Sequence, residues 1–258
     1  MDISLEDFLR LRRDLCAVDV RSPGEYLQGH IRDVVNIPLL NDEERVQVGT
    51  DYKQKGQQEA IRTGFRLVGP RLEGIIDAAV REARGREMMV HCWRGGMRSR
   101  NFSQFVGMAG IRTQTLTGGY KTYRTAALES YTKPLNIMLL TGCTGSGKSE
   151  ILRALRTAGE QILDLEHLAH HKGSAFGGLL QLPQPSTEQF QNELFEEIMT
   201  LNPNRRVWIE DESIAIGRIF LPKDFWNQMA SSPLVQMDVN RAIRVERLVH
   251  EYGPADRN

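Results

Sequence analysis

Apolar and polar positions follow one another along the chain in blocks whose lengths suit strands and helices in turn. Short apolar runs at 16–20 and 34–38 read as strands, the second stopped by Pro38. Between them lie a turn and a short helix ending near Gly29 and His30. Residues 41–70 are polar and read as helix and loop decorating the surface. Leu72, Ile75, Ile76, Ala79 and Val80 then recur at helical spacing. A strand at 87–91, a helix at 99–110 and a strand at 113–117, closed by Gly118 and Gly119, complete this half. After a linker at 131–134 the same grammar resumes. It gives strands at 135–141, 161–165, 206–210 and 234–238, and helices at 149–157 and 241–250. Strands alternating with helices imply parallel α/β sheets, here in two domains, residues 1–133 and 134–258. No internal repeat is present. The stretch 251–258 follows a helix abruptly and reads as an unfinished domain, an expectation that the chain is truncated.

Composition narrows the class. The 258 residues suffice for two cores. Hydrophobic residues make up 40% and charged residues 26%, as in globular chains. No apolar run approaches the ~20 residues of a membrane span, and the amphipathic, acid-containing start is no signal peptide. Cys16, Cys92 and Cys143 form no CxxC pair, which argues against a disulfide framework and for a reducing, cytoplasmic setting. Thirty-three basic residues balance thirty-three acidic ones. A nucleic-acid partner would therefore need a local basic face.

Two loops carry the chemistry. The first leaves the strand at 87–91 and reads His91, Cys92, Trp93, Arg94, Gly95, Gly96, Met97, Arg98, Ser99. A loop between a parallel strand and a helix aims successive N–H groups at one point, and the helix dipole adds to that field. A cysteine there gains a stabilised thiolate, and Arg94 and Arg98 add charge for an oxyanion. A buried structural cysteine is the other reading. The segment Val18-Asp19-Val20-Arg21, with Glu25, His30-Ile31 and Asn36-Ile37-Pro38, resembles the opening of rhodanese domains; Leu116-Thr117-Gly118-Gly119 resembles their close. That resemblance implies sulfur or selenium carried on Cys92, with Asp19, Arg21, Glu25 and His30 tying the fold together. Five residues separate Cys92 from Arg98, one more than in a single-domain rhodanese loop, so the spacing also fits the tyrosine-phosphatase signature. The longer loop should accept a group larger than a lone sulfur.

The second loop, Gly142, Cys143, Thr144, Gly145, Ser146, Gly147, Lys148, Ser149, is a full Walker A match between an apolar strand and a helix. Its backbone would wrap phosphates, Lys148 reach the terminal one and Ser149 ligate Mg²⁺. Cys143 offers its backbone N–H or a second nucleophile. Glu210 or Asp211, ending the 206–210 strand, would act as the Walker B acid on Mg²⁺ or cap a helix. Asp164 and Glu166 end the neighbouring strand. His167 and His171 have i, i+4 metal spacing, but an ordinary polar helix or loop, or an RNA contact, is the stronger reading. Arg241, Arg244 and Arg247 share one helix face, either solvated or on phosphates. A flexible substrate loop is expected at 173–178. Phe176, Leu179 and Leu180 line a prenyl pocket or belong to the core.

In this order the two loops and the acidic segment 209–213 resemble bacterial tRNA 2-selenouridine synthases, a rhodanese-like parallel-sheet domain followed by a P-loop NTPase-like α/β domain. The resemblance implies a tRNA partner carrying 2-thiouridine at the wobble position. It implies S-geranylation with geranyl diphosphate, then replacement of sulfur by selenium from selenophosphate, whose supplier would be a further partner; no membrane is involved. The P-loop and Mg²⁺ would hold the diphosphate, although the motif admits a nucleotide as readily. Cys92, Arg94 and Arg98 would present selenium. Three other classes stand beside this one. They are an ATP-dependent sulfurtransferase or kinase–rhodanese fusion acting on a small molecule, a phosphatase, and a tRNA-binding sensor with a vestigial loop.

Overall fold

The computed structural model describes residues 1–174 and 177–252, with side chains to residue 250 in the last helix. The chain divides into two compact units, residues 1–126 and 127–258.

The first unit runs β1 (Asp2–Ile3), α1 (Leu5–Leu11), β2 (Cys16–Asp19), α2 (Pro23–Gln28), β3 (Val35–Asn36), α3 (Asp42–Lys55), α4 (Gln57–Val68), α5 (Leu72–Ala83), β4 (Met88–His91), α6 (Met97–Met108) and β5 (Thr113–Leu116), and ends within α7 (Gly119–Ser130). Its five strands pair in parallel in the order β1-β5-β4-β2-β3. Both β2 and β4 are buried throughout, so they read as continuous apolar runs with helices on both faces. Val18, Val20, Met88, Val90, Phe102 and Val106 form the core, with Ile75 and Ala79 of α5 against them.

The polar stretch 41–70 is not surface decoration. It folds into two helices, α3 and α4, and α4 buries Ala60, Thr63 and Val68. The many charges of α3 hide the signal, because α4 alone carries a clear apolar stripe.

Of the four expected fold-tying residues, Asp19 and Arg21 tie the first unit together. Asp19 and Arg21 are both buried; Arg21 Nη2 donates to Asp19 Oδ2 at 2.7 Å and to the Gly29 carbonyl at 2.7 Å. Its guanidinium lies 3.7 Å from the Tyr120 ring centroid. Asn36 Nδ2 donates to the carbonyls of Asp19 and Arg21. Breaking such a pair strands a charge in the core. Arg21→Met is therefore expected to cost about 3–5 kcal/mol, read as a lowered urea midpoint at unchanged slope.

The second unit continues with β6 (Ile137–Thr141), α8 (Lys148–Thr157), β7 (Gln161–Leu163), α9 (Leu165–Ala169), α10 (Thr187–Thr200), β8 (Val207–Glu210), the β9–β10 hairpin (Ala215–Ile216, Ile219–Phe220), α11 (Lys223–Ala230), β11 (Leu234–Gln236) and α12 (Arg241–Tyr252). Four parallel strands pair in the order β11-β6-β8-β7. The segment 131–134 is partly anchored in this unit. Tyr131 is 1% exposed, packs on Phe225 and hydrogen-bonds the Gln191 carbonyl. Among the described residues, no helix is long and apolar enough to cross a membrane.

Candidate functional site

Each unit places one loop at the C-terminal end of an interior strand of a parallel sheet, where successive strand ends converge. In the first unit that strand is β4, and Cys92 follows it directly. Cys92 is 3% exposed, and its Sγ lies 3.3 Å from the Ser99 hydroxyl oxygen. Ser99 Oγ also lies 3.1 Å from the Gly96 carbonyl. The loop carbonyls point away from this centre: those of Cys92 and Trp93 accept from Tyr120 N and Lys121 N of α7, each at 2.9 Å. Gly119 makes that approach close. Its φ is +63°, and a Cβ there would lie 2.4 Å from the Cys92 carbonyl oxygen.

Trp93, Arg94 and Met97 are exposed, and Gly95 and Gly96 half-buried. Arg94 is thus available to an incoming anion. Arg98 is engaged: its Nη1 and Nη2 donate to Glu25 at 2.6 and 3.2 Å. Glu25 also accepts from the Ser22 amide at 3.1 Å. Burial works to raise the Glu25 carboxyl, but the Arg98 ion pair and its hydrogen bonds hold it below its ordinary value. Glu25, read from sequence as a fold residue, therefore positions the loop arginine. A contact across 73 residues leaves no local signal in sequence.

In the second unit the phosphate loop leaves β6, beside β8. Ser146 N donates to the Cys143 carbonyl, and Lys148 Nζ lies 3.3 Å from the Gly142 carbonyl, folded back over the loop. Gly147 has φ +86° at the start of α8, a conformation that disfavours any other residue. Cys143 is exposed. A cleft of about 730 Å³ opens over the loop, lined also by Asp164, Glu166, His167, Asp211, Glu212 and Arg247. Arg247 donates to the Ser146 carbonyl at 2.7 Å and sits 3.8 Å from Glu150. Of the three periodic arginines, Arg247 thus reaches the loop by its side chain, while Arg244 lies against Gly145 through its backbone.

Carboxylate oxygens of Glu166, Glu210 and Glu212 lie within 4.8 Å of one another. Glu210 is 1% exposed, and neither of its oxygens has a hydrogen-bond partner among the described residues. Burial and the mutual repulsion of these acids push Glu166 up to about 9 and Glu212 to about 7. Burial raises Glu210 too, against the opposing pull of Ser149 and Lys148. Three hard oxygen donors, those of Glu210 buried and unsatisfied, beside a Walker A serine suit Mg²⁺. Glu210 belongs to this cluster and Asp211 does not. Glu166 and Glu212 join from an adjacent helix and loop, Glu212 being the acid that sequence reasoning passed over. Asp164 caps α9, accepting from His167 N at 2.9 Å.

The histidine pair does not form a site. The helix stops at Ala169 and His170 turns left-handed at φ +50°, so His167 faces the cleft while His171 enters a separate pocket. Phe176 lies outside the described residues. Leu179 and Leu180 are 43% and 63% exposed, and the pocket Leu179 lines is shared with His170, Gln181, Gln184 and Arg218, a poor prenyl binder.

Comparison with known proteins agrees with this two-part layout. The family described as the tRNA 2-selenouridine synthase AAA domain matches residues 135–256, and the rhodanese-like domain matches residues 4–126. A tRNA 2-selenouridine synthase of Nitrosomonas europaea is 36% identical over 263 residues, covering 97% of this chain and 67% of that one. Proteins of the same name from Shewanella denitrificans and Serratia proteamaculans are 39% and 38% identical, covering 91% and 96% of this chain and 65% and 67% of theirs. The chain spans about two thirds of the length of the curated relatives it matches.

Proposed function

The chain belongs to the tRNA 2-selenouridine synthase family, and on that premise we propose that it converts 2-thiouridine at the tRNA wobble position to 2-selenouridine through an S-geranyl intermediate. One observation carries the proposal. Two anion cradles of different chemistry stand at equivalent strand ends, one presenting a thiol and the other a lysine with an acidic cluster.

At the second cradle, the thiouridine sulfur attacks C1 of geranyl diphosphate. The C–S bond forms, the C–O bond breaks, and its electron pair leaves on the diphosphate. Loop N–H groups and Lys148 stabilise that charge. Ser149 with Glu166, Glu210 and Glu212 would hold Mg²⁺, which supplies charge neutralisation for the diphosphate. At the first cradle, the selenium of selenophosphate attacks C2; the C–Se bond forms, the C–S bond breaks and its electron pair leaves on geranyl thiolate, and water then cleaves the Se–P bond and releases phosphate. Cys92 and Arg94 present the selenium donor, and Glu25 holds Arg98 in line. Alkylation serves the exchange, because a thiolate leaves more readily than a bare thiocarbonyl sulfur.

The acidic cluster gives this reading a pH signature. Glu166 and Glu212 bind protons more tightly folded than unfolded, between the ordinary carboxylate range and about 9. Metal-free stability therefore falls as pH rises through that window. In EDTA the melting temperature is expected to drop between pH 6 and pH 9. Mg²⁺ should flatten the drop, and Glu210→Gln should both flatten it and remove the Mg²⁺ effect. Thermal melts with and without Mg²⁺ decide; equal slopes would remove the metal from this site.

The function itself is tested by mass spectrometry of tRNA nucleosides after incubation with geranyl diphosphate and selenophosphate, without ATP. Geranylated and then selenated uridine supports it; an ATP requirement would favour a nucleotide at the P-loop.

A further inference from the structure

We infer that the apolar groove between α4 and α6 binds the prenyl chain of the S-geranyl uridine while selenium enters at the cysteine loop. This rests on the function proposed above. The groove lies wholly within the first unit and is walled by Val48, Ile61, Phe65, Val68, Met97 and Phe105. Met97 and Arg98, which also lines it, open α6 directly after the Cys92 loop, so the groove borders the anion cradle. Gln57 Nε2 lies 3.7 Å from Met97 Sδ and sets the start of α4 on that loop.

Two of the walls are left open to water: Phe65 is 59% exposed and Met97 44%. Solvent contact at two large apolar side chains beside a charged cradle suits a ligand with an anionic reacting end and an apolar tail. The S-geranyl group supplies the apolar tail, and the selenophosphate that reacts at its sulfur-bearing carbon supplies the anion. The geranyl chain starts at the sulfur being displaced, so it must lie within a few bonds of the entering selenium, and it has no polar atom to satisfy. Polar lining is confined to Arg98 and Asn101. Gly64 keeps the floor open. Nothing lies within 4 Å of the place a Cβ would occupy there, and the helical backbone does not demand glycine. A larger residue would enter the groove without pushing on the fold.

The experiment compares anticodon stem-loops carrying S-geranyl- and S-methyl-2-thiouridine. Affinity is read by fluorescence anisotropy, and selenouridine formation with selenophosphate is read at single turnover. The wild-type chain is expected to bind and convert the geranyl substrate at least about tenfold better than the methyl one. Gly64→Leu, which fills the groove, and Phe65→Ser, at an exposed position, should both erase that preference and leave the methyl substrate unchanged. A geranyl preference that survives both variants overturns the groove, as does a wild-type chain that binds the two stem-loops equally. Preferential geranyl binding that the variants abolish, without any selenouridine, supports the groove and contradicts the function on which it was built.

Discussion

Cys92→Ala is expected to lower selenouridine formation by about 10³-fold or more while S-geranylated tRNA accumulates. The size follows from the site. Cys92 is buried with its sulfur against Ser99 Oγ, so solvent cannot substitute for the thiol in presenting the selenium donor. Accumulation follows from the separation of labour, since the geranyl donor is assigned to a loop on a different unit. Cys92→Ser tests the thiol itself. The hydroxyl keeps size and polarity but lacks the soft, ionisable sulfur, so it should behave like alanine. Nucleoside mass spectrometry over a time course measures both species. Undiminished selenation would remove Cys92 from the reaction and leave selenophosphate acting directly on the geranylated base.

Lys148→Ala is expected to have the opposite signature: geranylation falls by about 10²–10³-fold, and no intermediate accumulates. The Lys148 ammonium rests 3.3 Å from the Gly142 carbonyl, folded over the cradle that the diphosphate would enter. Removing it leaves loop N–H groups and the acidic cluster, which cannot by themselves offset a departing diphosphate. If the same variant is given pre-geranylated tRNA, selenation should proceed at close to the wild-type rate. That bypass separates a lost donor site from a misfolded chain.

Much of this arrangement was legible in the residues. Both loops announce themselves because phosphate and oxyanion cradles need glycine and a strand–loop–helix context at fixed spacing. The buried strands announce themselves because a parallel sheet covered on both faces reads as apolar runs. Asp19 and Arg21, two residues apart after a buried strand, form the ion pair their opening pattern suggests. What lay hidden was contact between distant segments. Glu25 gave no sign that it holds Arg98. Glu212 gave none that it closes a carboxylate cluster with Glu166 and Glu210, because that cluster needs β7 and β8 to lie side by side. Helix termination is equally hidden: His167 and His171 have metal spacing on paper, and the left-handed turn at His170 parts them. The charge of α3 concealed that the following helix has an apolar face, and with it the groove beside the cysteine loop.

The most direct measurement gives the purified chain 2-thiouridine tRNA and geranyl diphosphate, adds selenophosphate after the first product has formed, and follows the wobble nucleoside by mass spectrometry. Appearance of S-geranyl-2-thiouridine, then its replacement by 2-selenouridine, is the predicted result. Tight binding of the same tRNA with an unchanged nucleoside would contradict it.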